Sequence, residues 1–255
     1  MENILVIDIG NTNIVFGIYT NGNLVKTSRL STYLDRTIDE YILFLNAICS
    51  NANISFISVS SVVPTITAKI EKVITDNVKL PYYLVTSLTE LGLKYPVKET
   101  SHIGADLIVN AFCVWHKYQK NSIVCDFGTA TTLQLISADG MFYGTTILPG
   151  IATSAKNLFD KASLLKSIDL EDSKVLMGLN TKDALLSGII RGHAYSIDGF
   201  VHSITEHFHK LDEITVIATG GLSNIVIKHS KTIQIIDNTL TLEGLYRIAK
   251  KIIVT

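Results

Sequence analysis

Asp8-Ile9-Gly10-Asn11-Thr12-Asn13 is a polar stretch between two apolar runs, residues 4–7 and residues 14–19. Both runs have the β-branched content of buried strands, so the stretch between them must turn the chain tightly. Gly10 lets the backbone approach a ligand closely, and the polar residues after it tolerate turn geometry and donate hydrogen bonds. We interpret the stretch as a hairpin that binds phosphate, with Asp8 able to hold a divalent cation directly or through water. An ordinary hairpin is the alternative, and this stretch alone does not exclude it.

The composition favours a protein whose ligands are small molecules. The chain has 255 residues, enough for one large domain or two smaller ones, and a formal net charge of -1. That charge gives no electrostatic footprint for nucleic acid or an anionic membrane surface. The three cysteines match no zinc spacing, and the sequence has neither a secretory signal nor an apolar run of the roughly 18 residues that a membrane span needs. We therefore expect a cytoplasmic protein with buried thiols that binds neither nucleic acid nor membrane.

The first hundred residues alternate predicted strands and helices. The Asn21-Gly22 pair is typical of a hairpin turn and predicts a third strand over residues 24–30. Thr37 and Glu40 form a capping-box pattern, which predicts a helix over residues 37–50. The remaining periodicity predicts strands over residues 55–59 and 82–85, a helix over residues 65–77 and a loop over residues 86–102.

A candidate functional carboxylate follows this loop. The apolar residues from Ile103 onward have helical spacing, which places Gly104-Ala105-Asp106 at the start of a helix. The positive end of the helix dipole favours the ionised form of a carboxyl group at that position. Asp106 is therefore a candidate for function, with a simple helix cap as the alternative.

The opening hairpin is repeated in the second half of the chain. An apolar run over residues 122–125 leads into Asp126-Phe127-Gly128-Thr129-Ala130-Thr131-Thr132, and a second apolar run and an Asp-Gly turn follow. The same offset of 118 positions separates three pairs of corresponding residues: Asp8 and Asp126, Gly10 and Gly128, Gly22 and Gly140. This agreement indicates a duplicated domain with two phosphate hairpins facing each other across a cleft.

The rest of the second half adds a long helix and a glycine turn. The predicted long helix, residues 182–210, carries Gly188, Gly192 and Gly199, which would permit close packing within the chain or against a partner subunit. Its four histidines do not share a face at metal-ligand spacing, so we predict surface histidines rather than a metal site. Thr219-Gly220-Gly221 follows a strand and is able to lie against a flat ring or a phosphate. Further predicted elements are strands over residues 142–146 and 214–218 and helices over residues 151–166 and 241–253.

Two matched acidic hairpins without the Gly-x-x-x-x-Gly-Lys pattern of a P-loop indicate nucleotide binding of the actin-like and sugar-kinase-like kind. Within that fold the chain closely resembles the type III pantothenate kinases over essentially its whole length. The segments that carry the resemblance are Asp8 to Asn13, Ser60-Ser61-Val62-Val63-Pro64, Gly104-Ala105-Asp106, Asp126 to Ala130, Leu148-Pro149-Gly150, Asn180-Thr181, Thr219-Gly220-Gly221 and Leu240 to Leu245.

The resemblance implies an α/β fold of two duplicated ribonuclease-H-like domains, the actin and sugar-kinase superfold, with mixed sheets flanked by helices and a nucleotide cleft between the domains. We place the N-terminal half at residues 1–117 and the C-terminal half, with the long interface helix, at residues 118–255. The implied activity is ATP-dependent phosphorylation of pantothenate to 4′-phosphopantothenate, the first step of coenzyme A biosynthesis. The implied cofactors are Mg²⁺ with ATP and a monovalent cation, K⁺ or NH₄⁺, and the implied assembly is a homodimer.

Individual roles follow from the resemblance by position. Asp106 matches the general base, Asp126 matches the ligand of the monovalent cation, and Asp8 is expected near the divalent cation. The implied ATP-binding residues are Asp8, Ile9, Gly10, Asn11, Thr12, Asn13, Ile14, Val15 and Thr129. The implied pantothenate-binding residues are Gly104, Ala105, Asp106, Leu107 and Thr181, the last supplied across the dimer interface.

Three positions depart from the family pattern. Leu107 stands where the family usually has arginine after Gly-Ala-Asp, Glu99-Thr100 replaces an Asn-Pro pair, and Gly144-Thr145-Thr146 replaces Gly-Gly-Ala. The missing arginine removes a fixed charge and a fork of donors that could grip the substrate carboxylate, and Arg36 or Arg191 are candidates to replace it. Two alternatives to an active pantothenate kinase therefore stay open: a catalytically weak nucleotide-binding paralogue with a regulatory role, and a kinase of a different small alcohol.

Overall fold

The computed structural model describes residues 3–50, 52–162 and 164–254, which form two compact units. The first unit contains Met1–Cys113 and Thr239–Thr255, and the second contains Val114–Asn238. Each unit has one five-stranded sheet with helices packed against it. In the described part of the chain, no helix is both long enough and apolar enough to cross a membrane.

The elements follow one another in an order that alternates short β-meanders with helices. The strands are β1 (Asn3–Ile9), β2 (Asn13–Thr20), β3 (Asn23–Ser31), β4 (Phe56–Ser61), β5 (Tyr82–Leu84), β6 (Ser122–Phe127), β7 (Ala130–Ile136), β8 (Phe142–Pro149), β9 (Thr215–Thr219) and β10 (Ile235–Ile236). The helices are α1 (Ile38–Cys49), α2 (Pro64–Val73), α3 (Ala105–Tyr118), α4 (Ile151–Lys161), α5 (Thr181–Leu186), α6 (Gly192–His207), α7 (Ser223–Val226) and α8 (Leu240–Val254). Single π-helical segments follow α2 (Ile74–Val78) and α5 (Ser187–Arg191).

The sheet of the first unit has the order β3-β2-β1-β4-β5. β1 is antiparallel to β2 and parallel to β4, so it lies in the middle of the sheet and is hydrogen-bonded along both edges. Alternate residues of β1 face the core on one side, which is filled from α1 and α2 by Tyr41, Leu45, Ile66 and Ile70. α8 packs against β1, β2 and β4, where Tyr246 stacks on Tyr19 with ring centroids 4.4 Å apart.

The sheet of the second unit has the equivalent order, β10-β9-β6-β7-β8. β6 is central, antiparallel to β7 and parallel to β9. One face carries Ile123 and Cys125, which pack with Ile190 and Ile197 of the helical run between residues 181 and 207. The two sheets therefore repeat one topology in which the first strand of each unit is central, as the duplicated fold predicts.

The two hairpins differ by one residue. Asp8 pairs with Val15, seven positions further on, whereas Asp126 pairs with Thr132, six positions further on. The second turn is therefore one residue shorter, and the longer connection between β7 and β8 compensates before Gly140, which keeps its offset of 118 positions from Gly22. The predicted repeat is real but is not in strict register through the turn.

Several elements differ from the sequence prediction. The predicted continuous helix over residues 182–210 consists of α5, a π-helical segment and α6. β8 continues to Pro149 instead of ending at residue 146, and the short α7 and β10 had no sequence signal. The predicted C-terminal half included residues 239–255, which the structure groups with the first unit because α8 packs on the first sheet.

The cysteine side chains are thiols in largely apolar surroundings. Cys113 and Cys125 are buried, and Cys49 is partly buried. Burial raises the pKa of Cys49 and of Cys125, so both thiols stay protonated and weakly reactive at neutral pH.

Two glycine-to-alanine substitutions separate backbone strain from side-chain packing. Gly22 and Gly140 both have positive φ, 91° and 83°, but a Cβ on Gly140 would lie 2.6 Å from the Trp115 ring, whereas one on Gly22 would meet only the Tyr246 hydroxyl at 3.8 Å. We expect Gly22→Ala to cost about 1–2 kcal/mol of unfolding free energy through strain. Gly140→Ala should cost about 1–3 kcal/mol more because Trp115 must move. Urea unfolding measures both, and equal losses would contradict the role of Trp115.

Candidate active site

The first acidic residue lies at the carboxyl end of the central strand β1. Asp8 is level with Ser60 of the parallel strand β4, and the Ser60 hydroxyl donates a hydrogen bond of 2.6 Å to Asp8 Oδ1. Ligands of open α/β sheets bind at such strand ends, where neighbouring strands connect in opposite directions. The bond holds one carboxylate oxygen of Asp8 in a defined direction.

The turn after Asp8 is closed by its own backbone. The Gly10 N–H donates to the Asn13 carbonyl oxygen at 2.9 Å, and a Cβ on Gly10 would lie only 3.1 Å from that same oxygen, so the turn favours glycine. Asn11 and Thr12 are exposed at the tip of the turn. The predicted ATP-binding residues Ile9 and Ile14 are fully buried in the core, so only their backbone is available to a ligand.

The second acidic hairpin repeats this arrangement in the second unit. Asp126 near the end of β6 lies opposite Thr132 of β7 and level with Thr219 of β9. Gly128 and Thr129 form the exposed tip, which the Gly128 N–H closes by donating to the Ala130 carbonyl oxygen at 3.1 Å. The Thr132 hydroxyl is buried and has no hydrogen-bond partner in the described structure.

Two glycines let neighbouring turns pack directly on the backbone of the second hairpin. A Cβ on Gly150 would lie 2.4 Å from the carbonyl oxygens of Gly128 and Thr129, and one on Gly220 would lie 2.7 Å from the backbone of Phe127. No larger residue fits either position without moving the hairpin. The Leu-Pro-Gly and Thr-Gly-Gly segments therefore support the hairpin, and the exposed Gly221 remains open on its outer side.

Asp106 lies in the first turn of α3, as predicted, but its electrostatics differ from the prediction. Its Oδ1 accepts a hydrogen bond of 2.9 Å from the N–H of Leu107. Burial raises the pKa of Asp106 and outweighs the lowering by backbone N–H groups. The backbone N–H groups at the helix start do favour the ionised form, as expected, but desolvation of the buried carboxylate is the larger effect, so the net direction of the pKa shift is upward.

The residues around Asp106 shape its position. A Cβ on Gly104 would lie 2.5 Å from Asp106 Oδ1, so glycine leaves the space that the carboxylate occupies. Ala105 and Leu107 are buried at 7% and 8% exposure. Leu107 therefore packs as an apolar residue of α3 rather than presenting a polar group at the surface.

Thr181 is the first residue of α5 and is exposed. The side chain of Asn180 caps this helix by accepting from the Asp183 N–H at 2.9 Å. The π-helical segment that follows α5 is hydrogen-bonded to the segment that precedes α5. Ser187 donates to the Leu176 carbonyl oxygen at 2.6 Å, and Arg191 donates to the Ser173 carbonyl oxygen at 3.0 Å.

The two arginines considered as replacements for the missing one both have structural contacts. Arg191 binds the Ser173 hydroxyl as well as its carbonyl oxygen. The guanidinium of Arg36 lies 5.5 Å and 5.8 Å from the ring centroids of Tyr33 and Tyr41. The structure gives each of them a role within its own unit.

Some polar residues beside the hairpins were not found from the sequence. His193 was predicted to be at the surface, but it is half-buried, and its Nε2 lies 2.9 Å from the hydroxyl of Thr131 beside the second hairpin. Burial lowers the pKa of His193, which keeps the ring neutral.

Thr32 and Thr153 each donate a hydrogen bond to a carbonyl oxygen of a hairpin turn. Their only sequence signal is that they follow the strand pair of each repeat.

No group of three or more His, Cys, Asp or Glu side chains that could hold a metal occurs among residues 3–50, 52–162 and 164–254. The acidic hairpins instead each offer one carboxylate with hydroxyl groups nearby, from Ser60 in the first unit and Thr132 in the second. Mg²⁺ commonly binds through one or two carboxylates completed by substrate phosphates and water. Asp8 and Asp126 have the chemistry for that kind of sparse site.

The chain was compared with known families, proteins and structures. The family model described as Type III pantothenate kinase matches residues 4–203. The Type III pantothenate kinases of Exiguobacterium sibiricum and Citrifermentans bemidjiense are each 38% identical to this chain over 247 residues, covering 95% of this chain and 96% of their own length.

Solved structures share the fold at low sequence identity. A Baf family protein from Campylobacter jejuni has a TM-score of 0.63 at 20% identity and covers 98% of this chain and 100% of its own. A ROK family glucokinase from Streptomyces griseus has a TM-score of 0.57 at 12% identity, and the match covers 98% of this chain and 99% of the glucokinase chain. These likenesses confirm the duplicated actin-like and sugar-kinase-like fold. Because the family model spans both units and relatives of 38% identity cover nearly the whole chain, this protein belongs to the type III pantothenate kinase family.

Proposed function

We propose that this protein transfers the γ-phosphoryl group of ATP to a hydroxyl of pantothenate, forming 4′-phosphopantothenate and ADP. The observation that supports the proposal best is the Asp106 carboxyl group, held at the start of α3 in a chain that keeps both acidic hairpins of its family. The product would enter coenzyme A biosynthesis. We place the reaction in the cytoplasm, where ATP is available and where the three cysteine thiols stay reduced.

Asp106 is assigned as the general base. As the pantothenate hydroxyl oxygen bonds to the γ-phosphorus, the bond from that phosphorus to the oxygen of ADP breaks, and the hydroxyl proton passes to the carboxylate. Phosphoryl transfer depends mainly on positioning and charge neutralisation, so the base acts late and need not be strong. Burial, which raises the pKa of Asp106, makes the carboxylate a better proton acceptor than an exposed aspartate.

The two hairpins are assigned to ATP. The exposed tips, Asn11 and Thr12 in the first unit and Gly128 and Thr129 in the second, present backbone groups and small side chains suited to phosphate oxygens. Asp8 is assigned to Mg²⁺, with its other oxygen fixed by Ser60. When bound, the ion would neutralise phosphate charge as it develops.

The acceptor is assigned to Gly104 to Leu107 and to Thr181. Gly104 leaves the space that the Asp106 carboxylate occupies, and Leu107, which is buried on α3, adds no charge there. The pantothenate carboxylate must therefore be bound by donors other than the side chain at position 107. Neither Arg36 nor Arg191 is assigned to this task, because both already have contacts within their units.

Asp106→Asn tests the proposed base. In a coupled assay with ATP, Mg²⁺, K⁺ and pantothenate, we expect turnover to fall about 10²–10⁴-fold while ATP binding changes little. The same substitution should stabilise the folded protein at neutral pH, although it lowers turnover. A raised folded pKa means that Asp106 stabilises the protein below its unfolded pKa of about 3.9 and that this contribution is lost as pH rises through the folded pKa. The variant should therefore melt higher than the parent at pH 7 and lose this advantage toward pH 4.

The controls in that assay also distinguish the alternatives. Asp39→Asn, in the first turn of α1, changes an exposed carboxylate at the same kind of helix position and should leave turnover and melting nearly unchanged. Turnover of another alcohol in place of pantothenate would identify a different kinase. ATP binding without transfer to any alcohol would indicate the regulatory paralogue, and unaltered turnover in Asp106→Asn would remove this residue from the mechanism.

We further propose that Asp126 binds the monovalent cation, K⁺ or NH₄⁺. The support is the buried Thr132 hydroxyl, which lacks a hydrogen-bond partner in the described structure and lies directly opposite Asp126 across the β6–β7 pair. A buried polar group without a partner is unfavourable, and a bound cation would satisfy its oxygen. Such an ion would supply positive charge beside the second phosphate hairpin.

Thr132→Val should weaken the response to the cation. We expect the K⁺ concentration for half-maximal turnover to rise about tenfold, the effect of a ligand worth about 1.4 kcal/mol. Thr215→Val is the control, because Thr215 lies level with Ser122 at the opposite end of β6. Turnover that does not depend on K⁺ or NH₄⁺ in the parent protein would contradict the cation site.

We also propose a homodimer formed through the second unit. A Cβ on Gly188, Gly192 or Gly199 would meet nothing within 4 Å, so these glycines are not used for close packing against described parts of their own chain. A groove of about 420 Å³ runs between α4 and this helical run. Apolar side chains are exposed nearby in sequence: Leu176, Met177, Leu179, Tyr195 and Phe200. We infer that these side chains contribute to the dimer interface, since apolar surface that is gathered into one patch marks a protein–protein interaction site.

Leu179→Asp should weaken the dimer. Light scattering after size exclusion should give a dimer mass for the parent and a larger monomer fraction for the variant, because a charge would be buried in an apolar interface. Thr181 is two positions away, so the KM for pantothenate should rise with dissociation. Leu88→Asp is the matched control, since Leu88 is also exposed but lies in the first unit. A monomeric parent would refute the proposal.

A further inference from the structure

One threonine, Thr32, donates hydrogen bonds to two carbonyl oxygens of the first phosphate hairpin. The Thr32 hydroxyl donates to the Gly10 carbonyl oxygen at 2.7 Å, and the Thr32 N–H donates to the Thr12 carbonyl oxygen at 2.9 Å. Thr32 immediately follows β3, the strand that pairs with β2. Two successive bonds from one residue therefore fix both ends of the hairpin tip.

The second hairpin has the same support. The Gly150 N–H donates to the Thr129 carbonyl oxygen at 3.1 Å, and the Thr153 hydroxyl donates to the same oxygen at 2.7 Å. Gly150 lies 118 positions after Thr32, the offset that relates the two hairpins. The backbone bond is thus part of the duplication. The hydroxyl comes from a residue three positions after Gly150 and binds the acceptor of the backbone bond, whereas the Thr32 hydroxyl binds the carbonyl oxygen of the hairpin glycine.

These bonds set the direction of peptide groups at the tips. The carbonyl oxygen of one residue and the N–H of the next belong to one planar, trans peptide and point in opposite directions. The hydrogen bond from Thr32 to the Gly10 oxygen therefore directs the Asn11 N–H away from Thr32. The bonds to the Thr129 oxygen fix the Thr129–Ala130 peptide in the same way.

The hydroxyls are not needed to form either hairpin. The strand ladders of β1 with β2 and of β6 with β7, and the bonds closed by the N–H groups of Gly10 and Gly128, already define the turns. Thr32 is half-buried and Thr153 is exposed, so loss of either hydroxyl does not change the core, and the Thr129 carbonyl oxygen keeps its bond from the Gly150 N–H. Such a loss costs little folding free energy.

We propose that Thr32 and Thr153 are positioning residues for ATP, which aim the backbone of the two hairpin tips at its phosphate groups. This inference rests on the proposed assignment of the hairpins to ATP and adds two residues that do not touch the nucleotide. Preorganised donors bind phosphate without a cost of reorganisation, and a tip free to rotate loses that advantage.

Thr32→Val and Thr153→Val remove the hydroxyls at nearly constant shape. We expect Thr32→Val to raise the KM for ATP and the dissociation constant of ATP about tenfold, the size of one weakened hydrogen bond to a charged group. Thr153→Val should raise both by a smaller factor, because the Thr129 carbonyl oxygen keeps its bond from the Gly150 N–H. The KM for pantothenate should change less than twofold. Thr32→Ser and Thr153→Ser keep the hydroxyl and should bind ATP within twofold of the parent.

Two matched controls separate positioning from general stability. Thr75→Val and Thr145→Val remove hydroxyls that bind the carbonyl oxygens of Glu71 and Leu133, away from both tips. They should lower the melting temperature about as much as the test variants but leave ATP binding unchanged. Equal ATP affinity in Thr32→Val, Thr153→Val and the controls would overturn the proposal.

Binding of ATP measured by calorimetry without an acceptor keeps this test independent of turnover. If the parent binds ATP but transfers nothing to pantothenate, the proposed function fails while the shift in Thr32→Val still supports positioning. If the parent turns over pantothenate and the valine variants bind ATP normally, the positioning role fails while the proposed function stands.

Discussion

Each sheet is built around a central strand that is hydrogen-bonded along both edges and carries an aspartate at or next to its carboxyl end. β1 is antiparallel to β2 and parallel to β4, and β6 has the same relation to β7 and β9. The chain leaves the central strand through a tight hairpin on one side, while the parallel strand on the other side continues into a different connection. The carboxyl end thus lies where the connections diverge, which is where such sheets bind ligands. The topology itself therefore places Asp8 and Asp126 at candidate sites.

Local sequence signals predicted most of this framework because they act over a few residues. The Thr37–Glu40 capping box, the Asn21-Gly22 turn and the alternating runs of the hairpins all correspond to the observed elements. The one-residue difference between the hairpins had no such signal, since it depends on strand register. The π-helical segment from Ser187 to Arg191 was also missed, because its side chains bind residues 173–176, outside the helix.

The sequence predicted the positions of the candidate site residues. It did not predict the properties that depend on their surroundings in the fold. Asp106 was placed correctly on α3, but the direction of its pKa depends on burial that no local pattern reveals. Gly150 and Gly220 were recognised as motif residues, yet the reason for glycine is the backbone of Phe127 to Thr129, distant in sequence from Gly220. Thr32 carried no motif of its own. Its role follows from a hydrogen bond across 22 positions.

Leu107 shows that the second hairpin and the start of α3 are constrained differently. The backbone of the second hairpin packs on Gly150 and Gly220, where no larger residue fits without moving the hairpin. Position 107 lies on α3 at 8% exposure, where leucine is favourable and an arginine would need a partner for its charge. The fold thus does not require arginine there. Under the proposed function, the missing charge bears on recognition of the acceptor, whereas the Asp106 carboxylate keeps its hydrogen bond from the N–H of residue 107, which leucine supplies as well as arginine.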